Sequence, residues 1–183
     1  MQDAGIEEGR EVLLPILKAC SKEGDVEQAE KVWLKLLHSE GGIPPQAFVY
    51  KMEAYSKIGE PMNSLEIFRE MQEQLGSTNV AAHHKIIAIL CKAQEVELAE
   101  SLMIEFIKSN LKPLTPSYTY MMSMYFNLSL HDKLELAFCQ CLEKCRPNRT
   151  IYSIYSDSFV KVGNLDKAEK IFNQMLSDGA ISV

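Results

Sequence analysis

Apolar residues recur along this chain three and four apart, the spacing that lines one face of an α-helix. The clusters themselves also recur. A residue suited to ending or turning a helix stands at Gly24, Gly59, Gln94, Ser129 and Gly163, in steps of 35, 35, 35 and 34. Five positions later comes a mostly small residue, Ala29, Ser64, Ala99, Leu134 or Ala168. Four beyond it stands a bulky one, Trp33, Phe68, Met103, Phe138 or Phe172, and three further on Leu36, Met71, Phe106, Cys141 or Met175. The last three columns share a helical face: the small residue lets two helices approach and the large one fills the space to the next pair. Four columns in one phase establish a tandem repeat.

Each unit reads as helix, short turn, helix. In the second, the pattern predicts a first helix over Ala47–Lys57, a turn over Ile58–Met62 and a second helix over Asn63–Leu75. Gly59 suits a helix end and Pro61 the first turn of the next helix. Pro44, Pro45, Pro113 and Pro147 are expected to stop second helices. No strand-like alternation of useful length is present, so the expected fold is all-α, a helical-repeat solenoid of tandem helix-turn-helix units. The units are 10–44, 45–79, 80–114, 115–148 and 149–183, the fourth one residue short, with the gap placed in its closing turn between Cys141 and Pro147. Residues 1–9 share the register of 175–183 and read as the tail of a preceding repeat. The expectation is therefore a segment of a longer array.

Composition narrows the function. Apolar residues make up 46% of the 183, enough for a continuous core, and the formal net charge is −6. That balance speaks against a general grip on nucleic acid, so any such contact must come from a local stripe of cations. Apolar runs are too short to cross a bilayer. Met1 to Arg10 carries three acids and one base and has no apolar signal region. An odd count of five Cys does not frame a disulfide scaffold, and a reducing compartment is expected.

The stretches Ala54-Tyr55-Ser56-Lys57-Ile58-Gly59, Leu90-Cys91-Lys92-Ala93-Gln94 and Phe159-Val160-Lys161-Val162-Gly163-Asn164-Leu165-Asp166-Lys167-Ala168 resemble the pentatricopeptide repeat. So do Ser64-Leu65-Glu66-Ile67-Phe68-Arg69-Glu70-Met71 and Lys170-Ile171-Phe172-Asn173-Gln174-Met175. The resemblance is to a P-type array of this family and covers essentially the whole chain. It implies a right-handed superhelix whose first helices line a groove for single-stranded RNA, one base per repeat read by two or three side chains. It further implies that the fifth and last residues of each unit read the base. These pairs are Leu14 with Pro44, Val49 with Asn79, His84 with Leu114, Thr119 with Asn148, and Ser153 with Val183. Thr119 with Asn148 is similar to the family combination associated with adenine, and Val49 with Asn79 is a half match. At the second position, where the family favours an aliphatic that sandwiches the base, this chain departs with Glu11, Gln46, Ala81, Pro116 and Thr150.

Lys22, Lys57, Lys92 and Lys161 fall at one place near the end of each first helix, with Asn127 in the fourth slot. In equal phase on a solenoid they form a rail that a phosphate backbone can follow. The other reading is that each simply complements a helix C-terminus. His83 falls in the column of Phe48, Tyr118 and Tyr152 and reads as packing, while His84 faces the presumed groove. Cys139, Cys141 and Cys145 lack a fourth ligand at zinc spacing and read as structural thiols. Glu27, Glu30, Glu66, Glu70, Glu97, Glu100, Asp166 and Glu169 crowd the second helices, by default as a solvated convex face. No phosphate loop, nucleophile elbow or HExxH motif is present, so no enzyme, cofactor, metal or small-molecule substrate is expected.

Two functions remain. One is single-stranded RNA binding in organellar gene expression (processing, stability, splicing or translation), with the chloroplast favoured over the mitochondrion by resemblance alone. The other is a degenerate repeat scaffold for protein–protein contacts in a larger complex, such as plastid transcription or ribosomal machinery. A third, weaker possibility is that the array presents RNA to an enzyme domain elsewhere in a longer chain.

Overall fold

The computed structural model of the chain describes residues 9–39, 41–75, 79–109, 111 and 114–180. Among these the secondary structure is entirely helical: α1 (Arg10–Glu23), α2 (Val26–His38), α3 (Pro45–Lys57), α4 (Pro61–Leu75), α5 (Val80–Lys92), α6 (Val96–Lys108), α7 (Thr115–Asn127), α8 (His131–Lys144), α9 (Arg149–Lys161) and α10 (Leu165–Ser177). The expectations for 1–8 and for Pro113 and Val183 lie outside the described residues.

Every one of the five turn residues found in the sequence adopts the left-handed conformation. Gly24, Gly59 and Gly163 have φ of 76°, 81° and 77°, and the non-glycine members Gln94 and Ser129 have 63° and 57°. This single residue closes the first helix of each unit and turns the chain back for the second. Glycine adopts the conformation freely, whereas Gln94 and Ser129 hold it at a steric cost.

The prolines act differently from the sequence expectation. Pro44 and Pro45 do not stop α2, which has already ended at His38; they are the N-cap and first residue of α3. Pro61 likewise opens α4, two residues before the expected start at Asn63, and Pro116 sits in the first turn of α7. Proline fits there because the first-turn N–H has no intrahelical partner to lose. Pro147 falls in the four-residue connection from α8 to α9. α8 keeps its full length, so the residue missing from the fourth unit is lost from this loop.

The helices fall into two compact units that divide between Ile89 and Leu90, inside α5. In the first, α1 packs on α2 and on α3, α2 also touches α3, and α3 packs on α4. In the second, α7 packs on α8 and α9, α8 and α10 flank α9, and α6 touches α7. Within each unit a first helix thus stacks on a first helix, α1 on α3 and α7 on α9, and α2, α6 and α8 lean on the first helix that follows, the contact rule of a helical-repeat solenoid.

The column residues carry these contacts. Ala29, Ser64, Ala99, Leu134 and Ala168 are all buried, as are Leu36, Met71, Phe106, Cys141 and Met175. Ser64 meets its hydrogen-bonding need by donating to the Met52 carbonyl at 2.8 Å. The bulky column packs edge-on against the fourth residue of the following unit: Trp33 on Phe48 at 4.8 Å, Phe68 on His83 at 5.0 Å and Phe138 on Tyr152 at 5.5 Å between ring centroids. Such pairs add to the stabilisation from burial alone. Phe172, the last of the column, is exposed.

Adjacent units are also clasped by polar contacts that the repeat columns do not show. Glu30 accepts a hydrogen bond from the Tyr55 hydroxyl at 2.9 Å and pairs with Lys51 at 2.9 Å. Lys51 is itself buried, its ammonium 4.3 Å from the centre of the Trp33 ring. Glu100 accepts from Tyr125 at 2.8 Å and from Lys133 at 2.7 Å, and Glu135 from Tyr155 and Lys167. Lys85 pairs with Glu53. Glu30 and Glu100 are therefore inter-repeat acceptors rather than members of a merely solvated face.

Candidate nucleic-acid interface

The first helices position the expected base-reading side chains. A residue at the fifth place of a unit sits just over one turn into its first helix, and the last residue of a unit precedes the first helix of the next. The structure gives that last residue a second task. Asn148 is the N-cap of α9, and its side-chain oxygen accepts from the Ile151 N–H at 3.0 Å. Asn79 stands before α5 and accepts from the Ala81 N–H at 2.8 Å. Leu114 and Pro44 occupy the same place before α7 and α3 without a side-chain cap. Asn is among the best N-caps, so the position expected to read a base is also a helix cap.

Capping also sets what remains for a ligand. The carboxamide oxygens of Asn79 and Asn148 are engaged with backbone, leaving their NH2 groups as donors. The half-buried Thr119 donates its hydroxyl proton to the Thr115 carbonyl at 3.0 Å, leaving its oxygen lone pairs as acceptors. Thr119 on α7 and Asn148 at the start of α9 lie on two helices that pack together. Together they offer one acceptor and one donor. A base edge bearing an amino group beside a ring nitrogen, as adenine's does, has the complementary pattern.

The other candidates are placed as follows. Val49 is buried, while Asn79 is exposed. His84 and Ser153 are half-buried. Burial holds the His84 imidazole below the usual histidine range, so at neutral pH it is an uncharged donor and acceptor rather than a phosphate cation. His83 is wholly buried against Phe68, the packing position its column predicts. Glu11, Gln46, Ala81, Pro116 and Thr150 are all exposed, so the departures from the aliphatic pattern stand at solvent-facing sites.

All four rail lysines are exposed, but their ends differ in engagement. Lys161 donates to the Phe126 carbonyl at 3.3 Å and to the Ser129 hydroxyl at 2.9 Å, with its ammonium 5.0 Å from the Phe126 ring centre. It thus complements the C-terminus of α7, the first helix of the unit before its own. Lys57 leans the same way, its stem against the Gly24 turn, where a Cβ would stand 3.0 Å from the Lys57 Cβ. Lys57 and Lys161 thus each rest on the left-handed turn of the unit before, a contact the sequence columns did not reveal.

Among the thiols, Cys141 is fully buried at its core position, and burial pushes it up to about 12. Cys139 is exposed and Cys145 half-buried. No helix is long and apolar enough to cross a membrane among the described residues.

Comparison with known proteins agrees with this arrangement. The family model for the PPR repeat matches residues 16–39, 52–74 and 150–179. The rice pentatricopeptide repeat-containing protein OTP51, chloroplastic, is 49% identical over 181 residues, covering 99% of this chain and 23% of that protein. The Arabidopsis small ribosomal subunit protein mL103 (rPPR7) is 22% identical over 159 residues, 86% of this chain and 39% of that protein. Among solved structures, PPR10 in complex with an 18-nt psaJ RNA element has a TM-score of 0.74 at 17% identity, over 96% of this chain and 26% of that one. At that identity the likeness concerns the fold. The chain spans roughly a quarter to two fifths of these three proteins. Its register, its turn residues and a match at 49% identity over 99% of the chain agree: the chain belongs to the pentatricopeptide-repeat family.

Proposed function

We propose that this chain binds single-stranded RNA along its first helices, as part of an array acting in organellar gene expression. The observation that carries the reading is the Thr119–Asn148 pair, whose free acceptor and donors remain after each residue has met its own helix's needs. Lys22, Lys57, Lys92 and Lys161 supply the phosphate contacts, and Val49, Asn79, His84 and Ser153 are the further base-facing positions. OTP51 is named as chloroplastic and PPR10 was solved with RNA, which supports both the ligand class and a chloroplast location. The segment acts by binding, not by catalysis.

The test is fluorescence anisotropy with single-stranded oligoadenylate and oligouridylate, whose carbonyl beside a ring N–H inverts the amino-and-ring-nitrogen pattern, on the wild type and Thr119→Val. One read base contributes about 1–3 kcal/mol, taking groove readout as the guide, so oligoadenylate should be favoured about 5- to 150-fold. Thr119→Val should erase that preference. Equal affinity for both oligomers in the wild type would remove base reading by this pair. Absence of binding to either at 50 mM salt would favour the scaffold reading, which draws its support from the ribosomal relative and from Leu14, Pro44 and Leu114, side chains that cannot hydrogen-bond to a base.

A further inference from the structure

The second unit holds a cavity of about 330 Å3 between α6, α7 and α8, away from the base-facing positions of the first helices. Its mouth is apolar. Ile104 and Leu136 line it and are 52% and 59% exposed, with Ile107 and Ala137 beside them.

Leu136 is out of place in the repeat. The same position in the other units holds Lys31, Glu66, Ser101 and Lys170, all polar. Core packing therefore does not require an apolar side chain there. Lone exposed leucines are ordinary, but this one borders a cavity and faces a second exposed apolar residue on the neighbouring second helix.

Charge defines what fits. On α6, Glu97, Glu100, Ile104 and Ile107 follow one another at three- and four-residue spacing and so share a stripe; on α8, Asp132, Leu136, Gln140 and Glu143 do the same. Each apolar centre thus has acid one or two turns away. Glu97, Asp132 and Glu143 are exposed, and Lys133 at the rim is already held by Glu100 at 2.7 Å. Lys108 and Lys144 close the two helices, but the acids Glu97, Glu100, Asp132 and Glu143 still outnumber the cations on this face, which disfavours a phosphate backbone.

We propose that the α6–α8 groove docks a basic amphipathic helix of a protein partner, inserting an apolar side chain between Ile104 and Leu136 and setting its lysines or arginines against Glu97, Asp132 and Glu143. The mode is a helix lying in a groove, with anchors at helical spacing. The site is separate from the RNA reading, and either can fail without the other.

The probe is a fluorescein-labelled helical peptide of leucines and lysines at three- and four-residue spacing, compared with its leucine–glutamate counterpart. The variants take residues that other units already carry at the same positions: Leu136→Ser as at Ser101, and Ile104→Asn as at Asn173. Circular dichroism should show them folded like the wild type. The leucine–lysine peptide should bind the wild type at least tenfold more tightly than its acidic counterpart. Leu136→Ser and Ile104→Asn should each weaken it at least fivefold, and Leu34→Asn, an exposed apolar residue in the first unit, should not. Single-stranded RNA should bind Leu136→Ser as it binds the wild type. Equal binding of both peptides, or loss with Leu34→Asn equal to that with Leu136→Ser, overturns the groove. A loss of single-stranded RNA binding by Leu136→Ser as large as its loss of peptide binding would make this face a nucleic-acid contact and overturn it as well.

Discussion

The clasp between the first two repeats gives the sharpest energetic test. Lys51 on α3 is a buried ammonium with side-chain exposure of only 9%, held by Glu30 of the preceding unit and covered by the Trp33 ring. Glu30→Ala leaves that charge without its carboxylate and the Tyr55 hydroxyl without its acceptor. Stranding a fully buried charge costs about 3–5 kcal/mol. Glu30 is 38% exposed, so water reaches the pair and the loss is reduced, to about 2 kcal/mol. For a chain of this size that is a fall in Tm of about 4–8 °C. Lys51→Met should behave oppositely. It keeps an unbranched apolar stem on Trp33 and removes the desolvation penalty, so stability should stay within about 1 kcal/mol of wild type. In the double variant, Glu30→Ala should cost little, because no ammonium remains to be stranded, and the cycle should show about 1–2 kcal/mol of coupling. Urea denaturation followed by circular dichroism measures all four. A Glu30→Ala loss under about 0.5 kcal/mol, or a Lys51→Met loss as large as that of Glu30→Ala, would refute the argument.

Other expectations rest on single residues. Gln94→Gly should raise stability by up to about 1 kcal/mol in thermal melts, since φ of 63° strains a side chain and not glycine, while Gly24→Ala should lower it by about 1–2 kcal/mol. Tyr152 donates its hydroxyl to the Asp178 carboxylate, whereas the equivalent Tyr118 is buried with no partner for its hydroxyl among the described residues. Tyr152→Phe should therefore cost about 1.5–3 kcal/mol in denaturant titrations and Tyr118→Phe nothing, or a gain.

Much of the fold was written in the repeat columns, because each column marks a position with one fixed duty. The left-handed turn is the clearest case: Gln94 and Ser129 fell into the register of three glycines and share their backbone conformation. Burial of the small and second bulky columns followed for the same reason. Contacts between units were less legible. Glu30 and Glu100 share one column and accept from tyrosines of another, Tyr55 and Tyr125, but their lysines come from different columns, Lys51 on α3 and Lys133 on α8. Helix stacking creates such pairs, and a one-dimensional register cannot rank them. The capping role of the last residue was missed because the unit boundary was drawn between Asn148 and the helix it caps. Leu136 was legible in principle, as the one apolar member of a polar column.

The central claim is that an edge of lysines on the first helices holds an RNA backbone. Binding of a single-stranded RNA should be measured between 50 and 200 mM salt for the wild type and for Lys22/Lys57/Lys92/Lys161→Glu. Four phosphate contacts give a log–log slope of about −2.8 and roughly a fifty-fold loss over that range; if Lys161 stays on α7, three contacts give about −2.1 and roughly twenty-fold. The account predicts a wild-type slope between those two values and no measurable binding by the variant. A wild type insensitive to salt, or a variant that binds as tightly as the wild type, would contradict it.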